Sequence, residues 1–308
     1  MERGVGMRIA IIGGSGFIGT ALREKCRQVG HEVVLLSRDL EHMTWSGTIE
    51  PLDPNQPLVV DGLVNLAGET INQRWTTSAK QRIMQSRIET TKRLVQAIEK
   101  GIVQTQVLIN GSAVGFYGYS DEQVFTEESA GSFDPQDFLA QVVMAWEAEA
   151  DQISRNSVRV VKARFGVVLG LTGGALPKML FPYRCYIGGP LGKGHQWLSW
   201  IHIEDVVELL LFCLENEPIS GAVNFTAPAP VTMNEFGRQL SKVLKRPHWL
   251  PTPAPALRVA LGEMADLLLK GQKVLPKKAK ENGFTFQYAH LPKALSDLIR
   301  KRKENRYG

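Results

Sequence analysis

The sequence predicts an α/β fold, with a doubly wound parallel sheet followed by a smaller C-terminal α+β lobe. Two observations carry this prediction. Short apolar runs alternate with segments of helical periodicity over more than half of the chain, which is typical of buried parallel strands covered by helices. A glycine-rich turn, GGSGFIG, joins the first apolar run to the first helical segment at residues 13–19.

The first three elements predict a βαβ unit. Residues 7–12 (MRIAII) form a short apolar run that ends at a glycine pair. Apolar residues recur at helical spacing over residues 17–29, and Gly30 ends that helix. Residues 31–37 (HEVVLLS) predict the second strand. A strand, a glycine turn, a helix and a strand within this length are the elements of a parallel crossover unit.

The same alternation continues along the chain. Further strands are predicted at residues 62–66, 107–110, 159–163 and 223–226, and further helices at 78–100, 136–154, 203–214 and 232–244. Thr232 and Glu235 predict a capping box at the start of the last of these helices. Glycine and proline are dense over residues 169–194, which predicts few strands there. Residues 256–269 predict the last helical segment.

Composition excludes several classes of protein. The chain is 44% hydrophobic and carries a net charge of +5. Its three cysteines form no CxxC pair, which predicts reduced thiols and no metal site. The longest apolar runs are too short to span a bilayer, so we expect a cytoplasmic protein with no membrane partner. The basic end of the chain, IRKRKENRYG, predicts a solvated tail rather than a nucleic-acid contact, and a monomer or weak homodimer is expected.

The glycine turn predicts a dinucleotide site of the Rossmann type. Gly13 allows a tight turn, Gly16 lets the backbone approach a pyrophosphate, and Gly19 lets the helix pack closely on the strand. Phe17 and Ile18 begin the helix, so their backbone N–H groups and the helix dipole face the same phosphates. We therefore predict a cofactor-binding domain over residues 1–168, to which residues about 200–225 return, and a smaller substrate lobe over residues 169–308.

The end of the second strand favours NADP(H) as the cofactor. Sites for NAD place an acidic residue near this point to hold the ribose 2′-hydroxyl. This chain has Ser37 and Arg38 there, and an arginine fork with a hydroxyl donor suits a 2′-phosphate. Asp39 follows directly and leaves NAD as the less favoured alternative.

Several segments resemble the extended short-chain dehydrogenase/reductase family. The turn Asn65–Leu66–Ala67–Gly68 is similar to the family's N-x-A-[AG] turn, whose backbone lines the cofactor, and WIHIED at residues 200–205 resembles a segment of nucleotide-sugar epimerases. Motifs from one end of the chain to the other, among them NLAGE (65–69), GSAVGFYG (111–118) and GQKVLPKKAKENGFTF (271–286), look together like the YfcH-type epimerase family. That resemblance implies a C-terminal domain of unknown function over about residues 250–298.

The resemblance breaks down at the catalytic pair. The family uses Tyr-x-x-x-Lys on the helix after the fifth strand, where the phenol moves a proton while the nicotinamide takes or gives hydride. If Glu147 is placed on that helix's usual acidic residue, Leu139 and Val143 fall on the two catalytic positions, and residues 100–170 contain no Tyr-x-x-x-Lys. A replacement proton donor would have to come from elsewhere in the cleft.

Candidate site residues lie at the carboxyl ends of the strands, where a parallel sheet meets its ligand. Ser112 and Tyr117 follow the fifth strand and Glu69 follows the fourth, so these three are the candidate catalytic residues. Glu69 could instead bond the cofactor ribose or a nearby arginine. Arg87, in a Ser-Arg pair, and Arg164, at the end of the sixth strand, are further candidate cofactor contacts.

Two functions remain open from the sequence. The first is an NADP(H)-dependent oxidoreductase or epimerase-like enzyme that acts on a small carbonyl, an enone or a nucleotide-linked sugar. The second is a binding protein that senses NADP(H) without turnover. The absence of the Tyr-x-x-x-Lys pair favours the second function, whereas the cleft motifs at residues 164–170 and 200–205 favour the first.

Overall fold

The computed structural model describes residues 6–38, 42–45, 48–51, 55–132, 134–155 and 157–307. Its strands in chain order are β1 (Arg8–Ile12), β2 (Glu32–Leu36), β3 (His42–Trp45), β4 (Thr48–Pro51), β5 (Leu58–Val59), β6 (Gly62–Asn65), β7 (Val103–Gln104), β8 (Val107–Ala113), β9 (Val124–Phe125), β10 (Arg159–Phe165), β11 (Val167–Leu169), β12 (Trp197–Leu198), β13 (Trp200–His202), β14 (Gly221–Phe225), β15 (Val231–Thr232) and β16 (Lys273–Val274). Its helices are α1 (Phe17–Gln28), α2 (Thr77–Glu99), α3 (Phe138–Ala150), α4 (Leu176–Arg184), α5 (Ile203–Glu215), α6 (Met233–Leu244), α7 (Ala254–Leu261), α8 (Asp266–Leu269), α9 (Lys277–Glu281) and α10 (Leu291–Tyr307).

A central sheet organises the described part of the chain. Its eight strands follow the order β14-β10-β8-β6-β1-β2-β3-β4. Neighbouring strands from β14 to β2 run parallel, whereas β3 and β4 extend the far edge as antiparallel strands. The strand order reverses at β1, because β2 lies on one side of it and β6 on the other. Open α/β sheets bind ligands in the crevice at such a reversal.

The sheet is covered on both faces, as a doubly wound fold requires. Along β1, Ile9 and Ile11 pack with Leu22 of α1 and with the apolar face of α5. The alternate residues Ala10 and Ile12 pack with Leu94 of α2 on the opposite face. Because successive strand side chains point to opposite faces, an uninterrupted apolar run is what a strand buried on both sides needs. The predicted fold class is confirmed.

Helix α4 was not predicted, because it lies within the segment rich in glycine and proline. It forms because Leu176, Leu180 and Tyr183 recur at helical spacing and are buried together in the second lobe. Pro177 sits in the first turn, where its missing N–H costs nothing. The pair of strands β3 and β4 was also missed by the sequence analysis.

The prediction that residues 256–269 form the last helical segment was wrong. Helices α9 and α10 follow, and α10 extends through the basic end of the chain to Tyr307. Leu291, Leu295 and Leu298 of α10 are buried in the same apolar cluster as Phe236 and Leu240 of α6. Tertiary packing therefore makes a helix of a segment whose sequence is dominated by charge.

The C-terminal region touches both parts of the molecule. Strand β16 pairs with β9, which joins Val274 to Phe125 of the first domain. The Asp205 carboxylate, at the start of α5, accepts hydrogen bonds from the backbone N–H groups of Gln287 (2.8 Å) and Tyr288 (2.9 Å). Among the helices described, none is long and apolar enough to cross a membrane.

Candidate cofactor and active site

The glycine turn after β1 has the geometry that a dinucleotide site needs. Gly13 has a positive φ of 81°, and a Cβ there would lie 2.8 Å from the carbonyl carbon of Leu66. A Cβ on Gly19 would lie 2.2 Å from the carbonyl oxygen of Gly13, so α1 can approach β1 only with glycine at this position. Gly16 differs, because a Cβ there would meet only the Gly13 carbonyl oxygen, at 3.2 Å. Contacts within the protein therefore require glycine at positions 13 and 19. Gly16 has open space on the side where a ligand would bind.

The N-terminus of α1 has no side-chain cap. Gly16 stands at the N-cap position, where its carbonyl oxygen accepts a hydrogen bond from the Thr20 N–H but no side-chain oxygen caps the first N–H groups. By contrast, Thr76 caps α2 and Asp137 caps α3 with side-chain oxygens. The first N–H groups of α1, from Phe17 and Ile18 onward, therefore remain available to an anionic ligand, which the helix dipole also favours.

The second lobe meets the cofactor site at Phe17. The Phe17 side chain packs against the loop between β11 and α4, where a Cβ on Gly170 would lie 2.4 Å from the ring and a Cβ on Gly173 would lie 2.7 Å from it. This contact explains glycine at both loop positions. It also covers one side of the turn that approaches the cofactor.

Ser37 and Arg38 follow the carboxyl end of β2, as the sequence predicts. The Ser37 Oγ is buried and has no hydrogen-bond partner among the described residues. Arg38 is exposed, so its guanidinium is free to meet a ligand from solvent. Asp39, which leaves NAD as the less favoured alternative, lies outside the described residues. An orphaned buried hydroxyl beside an exposed arginine fits an anionic group that binds between them.

The turn after β6 is shaped by the Asn65 side chain. Its Oδ1 accepts a hydrogen bond from the Ala67 N–H (3.2 Å), and its Nδ2 donates to Asn110 Oδ1 (2.7 Å) and Thr91 Oγ1 (3.0 Å). The backbone of Leu66 lies against Gly13, so this turn and the glycine turn face each other across the reversal of strand order. Asn65 thereby fixes the backbone that is expected to line the cofactor.

Arg87 holds the same turn through hydrogen bonds to backbone carbonyl oxygens. Its guanidinium donates from Nη1 to the carbonyl oxygens of Glu69 (3.0 Å) and Ile83 (2.9 Å). A Cβ on Gly68 would lie 2.9 Å from the guanidinium carbon, so a side chain there would displace the Arg87 guanidinium. Burial lowers the pKa of Arg87 to about 10, although the nearby Glu69 charge opposes that shift. The Glu69 carboxylate itself accepts a hydrogen bond from Gln73 Nε2 (3.2 Å).

Ser112 and Arg164 meet at the carboxylate of Glu147. Ser112 Oγ donates to Glu147 Oε1 (2.5 Å), and Arg164 binds both carboxylate oxygens at 2.8 Å through Nε and Nη2. The two charged side chains are almost fully buried. Burial acts to lower the pKa of Arg164, but the hydrogen bonds and charge of Glu147 outweigh it and raise that pKa. The predicted cofactor role of Arg164 gains no support, because its guanidinium is turned into the protein.

Tyr117 completes this buried network. Its hydroxyl accepts a hydrogen bond from Arg164 Nη1 (2.9 Å) and donates to Asn224 Oδ1 (2.7 Å). Burial raises the pKa of Tyr117, against the opposing charge of Arg164. Asn224 was missed by the sequence analysis, and the signal for it was an amide within a strand that is otherwise apolar.

The three candidate catalytic residues therefore fall into two places. Ser112 and Tyr117 share the network around Arg164, and each donates its hydroxyl proton to a protein acceptor. Glu69 lies apart from them, beside Arg87 after the carboxyl end of β6. On α3, Leu139 packs with Trp75 and Val142, and Val143 is buried. The surroundings of α3 are thus apolar where the related family would place its phenol and amine.

Comparisons with known proteins agree with this architecture. A model of the NAD dependent epimerase/dehydratase family matches residues 9–225, and a domain of unknown function (DUF1731) matches residues 252–298. The chain is 46% identical over 304 residues to the epimerase family protein YfhF of Bacillus subtilis, covering 96% of this chain and 99% of that protein.

Solved structures show the same similarity. The human epimerase family protein SDR39U1, crystallised with NADPH, superposes with a TM-score of 0.85 at 35% identity, covering 96% of this chain and 99% of that one. A nucleoside-diphosphate sugar epimerase from Corynebacterium glutamicum superposes with a TM-score of 0.74 at 30% identity, covering 97% of this chain and 61% of that one. The predicted family resemblance is confirmed. The chain belongs to the NAD dependent epimerase/dehydratase family.

Proposed function

We propose that this chain binds NADP(H) at the reversal of strand order and catalyses an oxidoreductase or epimerase-like reaction on a small carbonyl or a nucleotide-linked sugar. The observation that carries the proposal is the glycine turn, in which Gly13 and Gly19 are sterically required and Gly16 leaves its face open beside the uncapped start of α1. The human neighbour SDR39U1 was crystallised with NADPH, which supports the same cofactor here.

The choice of NADP(H) over NAD(H) depends on Ser37 and Arg38. A 2′-phosphate would give the buried Ser37 hydroxyl the partner that it lacks among the described residues. The exposed guanidinium of Arg38 would supply charge-assisted hydrogen bonds to the same group. An arginine forms such bonds in a planar fork that matches phosphate oxygens.

The chemistry divides between the cofactor and the chain. When bound, the nicotinamide supplies or accepts the hydride. Of the three candidate proton donors, Glu69 follows the carboxyl end of β6, and Gln73 donates to its carboxylate. Ser112 and Tyr117 already donate their protons to Glu147 and Asn224. We therefore assign proton transfer to Glu69, and to Ser112 and Tyr117 the positioning of the turn between β8 and α3.

One observation favours the alternative function, an NADP(H) sensor without turnover. Leu139 and Val143 give the start of α3 an apolar surface, and Met264 and Leu267 from the C-terminal region pack beside Leu139. No proton can move through these side chains. A sensor would keep the contacts that bind the cofactor and would lack a residue that transfers a proton to a substrate.

The cofactor proposal is tested by thermal unfolding of the purified chain with each nucleotide. We expect NADPH to raise the melting temperature more than NADH does, because a ligand that binds only the folded state stabilises it. The variant Arg38→Ala should lose the preference for NADPH, whereas Arg27→Ala, an exposed arginine on α1, should keep it. Equal stabilisation by both nucleotides would remove the 2′-phosphate argument.

The catalytic proposal is tested by NADPH oxidation with a panel of carbonyls, enones and nucleotide-linked sugars. If one substrate turns over, we expect Glu69→Gln to lower kcat about 100-fold or more, as loss of a general acid does. Its affinity for NADPH should stay unchanged, and Glu89→Gln, an exposed acid on α2, should leave kcat unchanged. Full activity in Glu69→Gln would exclude Glu69 as the proton donor. Cofactor binding with no turnover on the whole panel would favour the sensor.

A further inference from the structure

The second lobe carries a cluster of exposed apolar side chains. In the described part of the chain, nine large hydrophobic residues are exposed, and five of them fall in two neighbouring segments. These five are Phe181, Tyr186, Ile187, Trp249 and Leu250, of which Phe181 and Trp249 are the most open, at 63% and 62%. Scattered single hydrophobics are ordinary on a protein surface, but a contiguous group indicates an interaction site.

Backbone contacts show that the two segments form one surface. The N–H groups of Trp249 (2.9 Å) and Leu250 (3.3 Å) both donate to the carbonyl oxygen of Gly188. The Trp249 indole donates to the carbonyl oxygen of Tyr186 (2.9 Å), and Cys185 follows Phe181 by one helical turn. The Trp249 side chain is thereby held against the backbone of Tyr186, and both residues are exposed.

The same surface is strongly basic. Residues 171–203 and 236–262 contain eight lysines and arginines and no acidic residue, although the whole chain has a net charge of only +5. Arg184 and Lys245 are exposed, and the Arg246 guanidinium lies 4.2 Å from the centre of the Tyr186 ring. Within the described residues, no carboxylate forms an ion pair with these three side chains. We call these three, with the five apolar residues, the basic aromatic surface.

Backbone strain falls on this surface. Among the described residues, Tyr186 (φ 62°) and Lys245 (φ 55°) are the two non-glycine residues with positive φ. A left-handed backbone is unfavourable for a bulky aromatic residue and persists only where the surrounding structure enforces it. The fold therefore tolerates backbone strain at Tyr186 and Lys245, both of which belong to this surface.

We propose that the basic aromatic surface docks on an anionic lipid bilayer. Tryptophan and tyrosine side chains partition to the membrane–water interface, and adjacent lysines and arginines are attracted to anionic headgroups. A second copy of this chain fits poorly, because a two-fold contact would place the unpaired cations of both copies against each other. Nucleic acid would match the charge, but it leaves the aliphatic Ile187 and Leu250 without apolar partners. This proposal departs from the sequence-based expectation that the chain has no membrane partner.

Vesicle flotation of the full-length chain tests the proposal. We expect the chain to float with vesicles of phosphatidylcholine and phosphatidylglycerol in equal parts, and not with phosphatidylcholine alone. Raising the salt concentration should weaken binding, because exposed charges are screened. Arg184→Glu combined with Arg246→Glu should weaken binding by about tenfold or more. Tyr186→Gly should also weaken it while the melting temperature stays the same or rises, because glycine relieves the positive φ.

Matched controls separate this surface from general charge and hydrophobicity. Lys92→Glu changes an exposed cation on α2, and Val29→Ser removes an exposed apolar side chain after α1. Both variants should float like the parent chain. The proposal is overturned if flotation is absent, if neutral vesicles bind equally well, or if the surface variants bind like the controls. It is also overturned if Tyr186→Gly instead abolishes binding to an oligonucleotide or dissociates a dimer.

Discussion

At the scale of single residues, buried charge is the most demanding feature of the candidate site. Arg164 and Glu147 are both almost completely buried, and their bidentate ion pair also receives the Ser112 hydroxyl. A buried ion pair contributes little net stability over an apolar pair, but removal of one partner leaves the other charge uncompensated. The pair therefore acts mainly by fixing where the ends of β8 and β10 lie.

The ion pair gives a direct prediction for stability. Glu147→Ala should lower the free energy of unfolding by about 3–5 kcal/mol, because it leaves the Arg164 guanidinium buried without a counter-charge. Glu149→Ala, on the same helix, should change it by less than about 0.5 kcal/mol. Urea unfolding of both variants measures the difference. Similar losses in the two variants would mean that the ion pair has no special role.

A second buried residue, His202, predicts a pH dependence. Its ring is fully buried, stacks on Tyr288 with the ring centres 3.8 Å apart, and has Nε2 3.5 Å from the Asp297 carboxylate. Burial lowers the pKa of His202 from 6.5 to about 4, although Glu204 and Asp297 oppose the shift. The unfolded chain therefore binds a proton at a higher pH than the folded chain does. Stability from this group is complete above pH 6.5 and is lost as the pH falls through 4.

The variant His202→Asn isolates that contribution. Asparagine can keep the N-cap that His202 Nδ1 provides by accepting from the Glu204 N–H, but it does not titrate. We expect the free energy of unfolding of the variant to fall less between pH 6.5 and pH 4, by on the order of 3 kcal/mol, than that of the parent chain. His290→Asn, at an exposed histidine, should keep the parent's pH dependence. Parallel curves for all three chains would refute the assignment.

At the scale of elements, capping residues and glycines in the sequence correctly predicted where two helices begin or end. The predicted helix at residues 78–100 is α2, which begins after its Thr76 cap and ends at Glu99, before Gly101. The capping box predicted for Thr232 and Glu235 is also present, with both reciprocal hydrogen bonds. Caps and glycine stops act within one turn of helix, so they can be recognised in the sequence without knowledge of tertiary contacts.

The capping box provides a prediction at this scale. Thr232→Ala should lower the free energy of unfolding by about 1 kcal/mol, because the Glu235 N–H loses the hydroxyl that accepts its hydrogen bond. Thr172→Ala, at an exposed threonine in the loop before α4, is the control and should have little effect. Chemical denaturation measures both variants. A loss at Thr172 equal to that at Thr232 would argue against capping as the cause.

At the scale of the whole molecule, the C-terminal region is bound into the fold rather than appended to it. Met264 and Leu267 pack with Trp75 near the start of α2, and β16 pairs with β9. Leu295 of α10 is fully buried in the core of the second lobe. Residues 252–298, which match a domain of unknown function, thus contact the first domain and the lobe alike.

This arrangement predicts the result of truncation. A chain ending at Leu250 would expose the apolar residues that α10 covers on α6, together with the Asp205 carboxylate. We expect it to lose its cooperative thermal transition and to aggregate. A chain ending at Lys301 keeps the buried leucines of α10 and should melt like the full-length chain. A sharp melting transition in the shorter chain would show that the C-terminal region is an independent unit.

The sequence by itself determined the family, the doubly wound sheet and the position of the glycine turn. Each depends on local patterns: apolar runs for strands buried on both faces, and glycines where φ is positive or backbones touch. Tertiary structure decided the rest, because the apolar spacing in α4 and α10 stabilises a helix only where the second lobe packs against it. It also decided what the polar residues do. Ser112, Tyr117 and Arg164 were expected to face the ligand, but Glu147 and Asn224, distant in sequence, hold them inside the protein. Buried polar groups must find partners, and only the assembled sheet determines which partners are within reach.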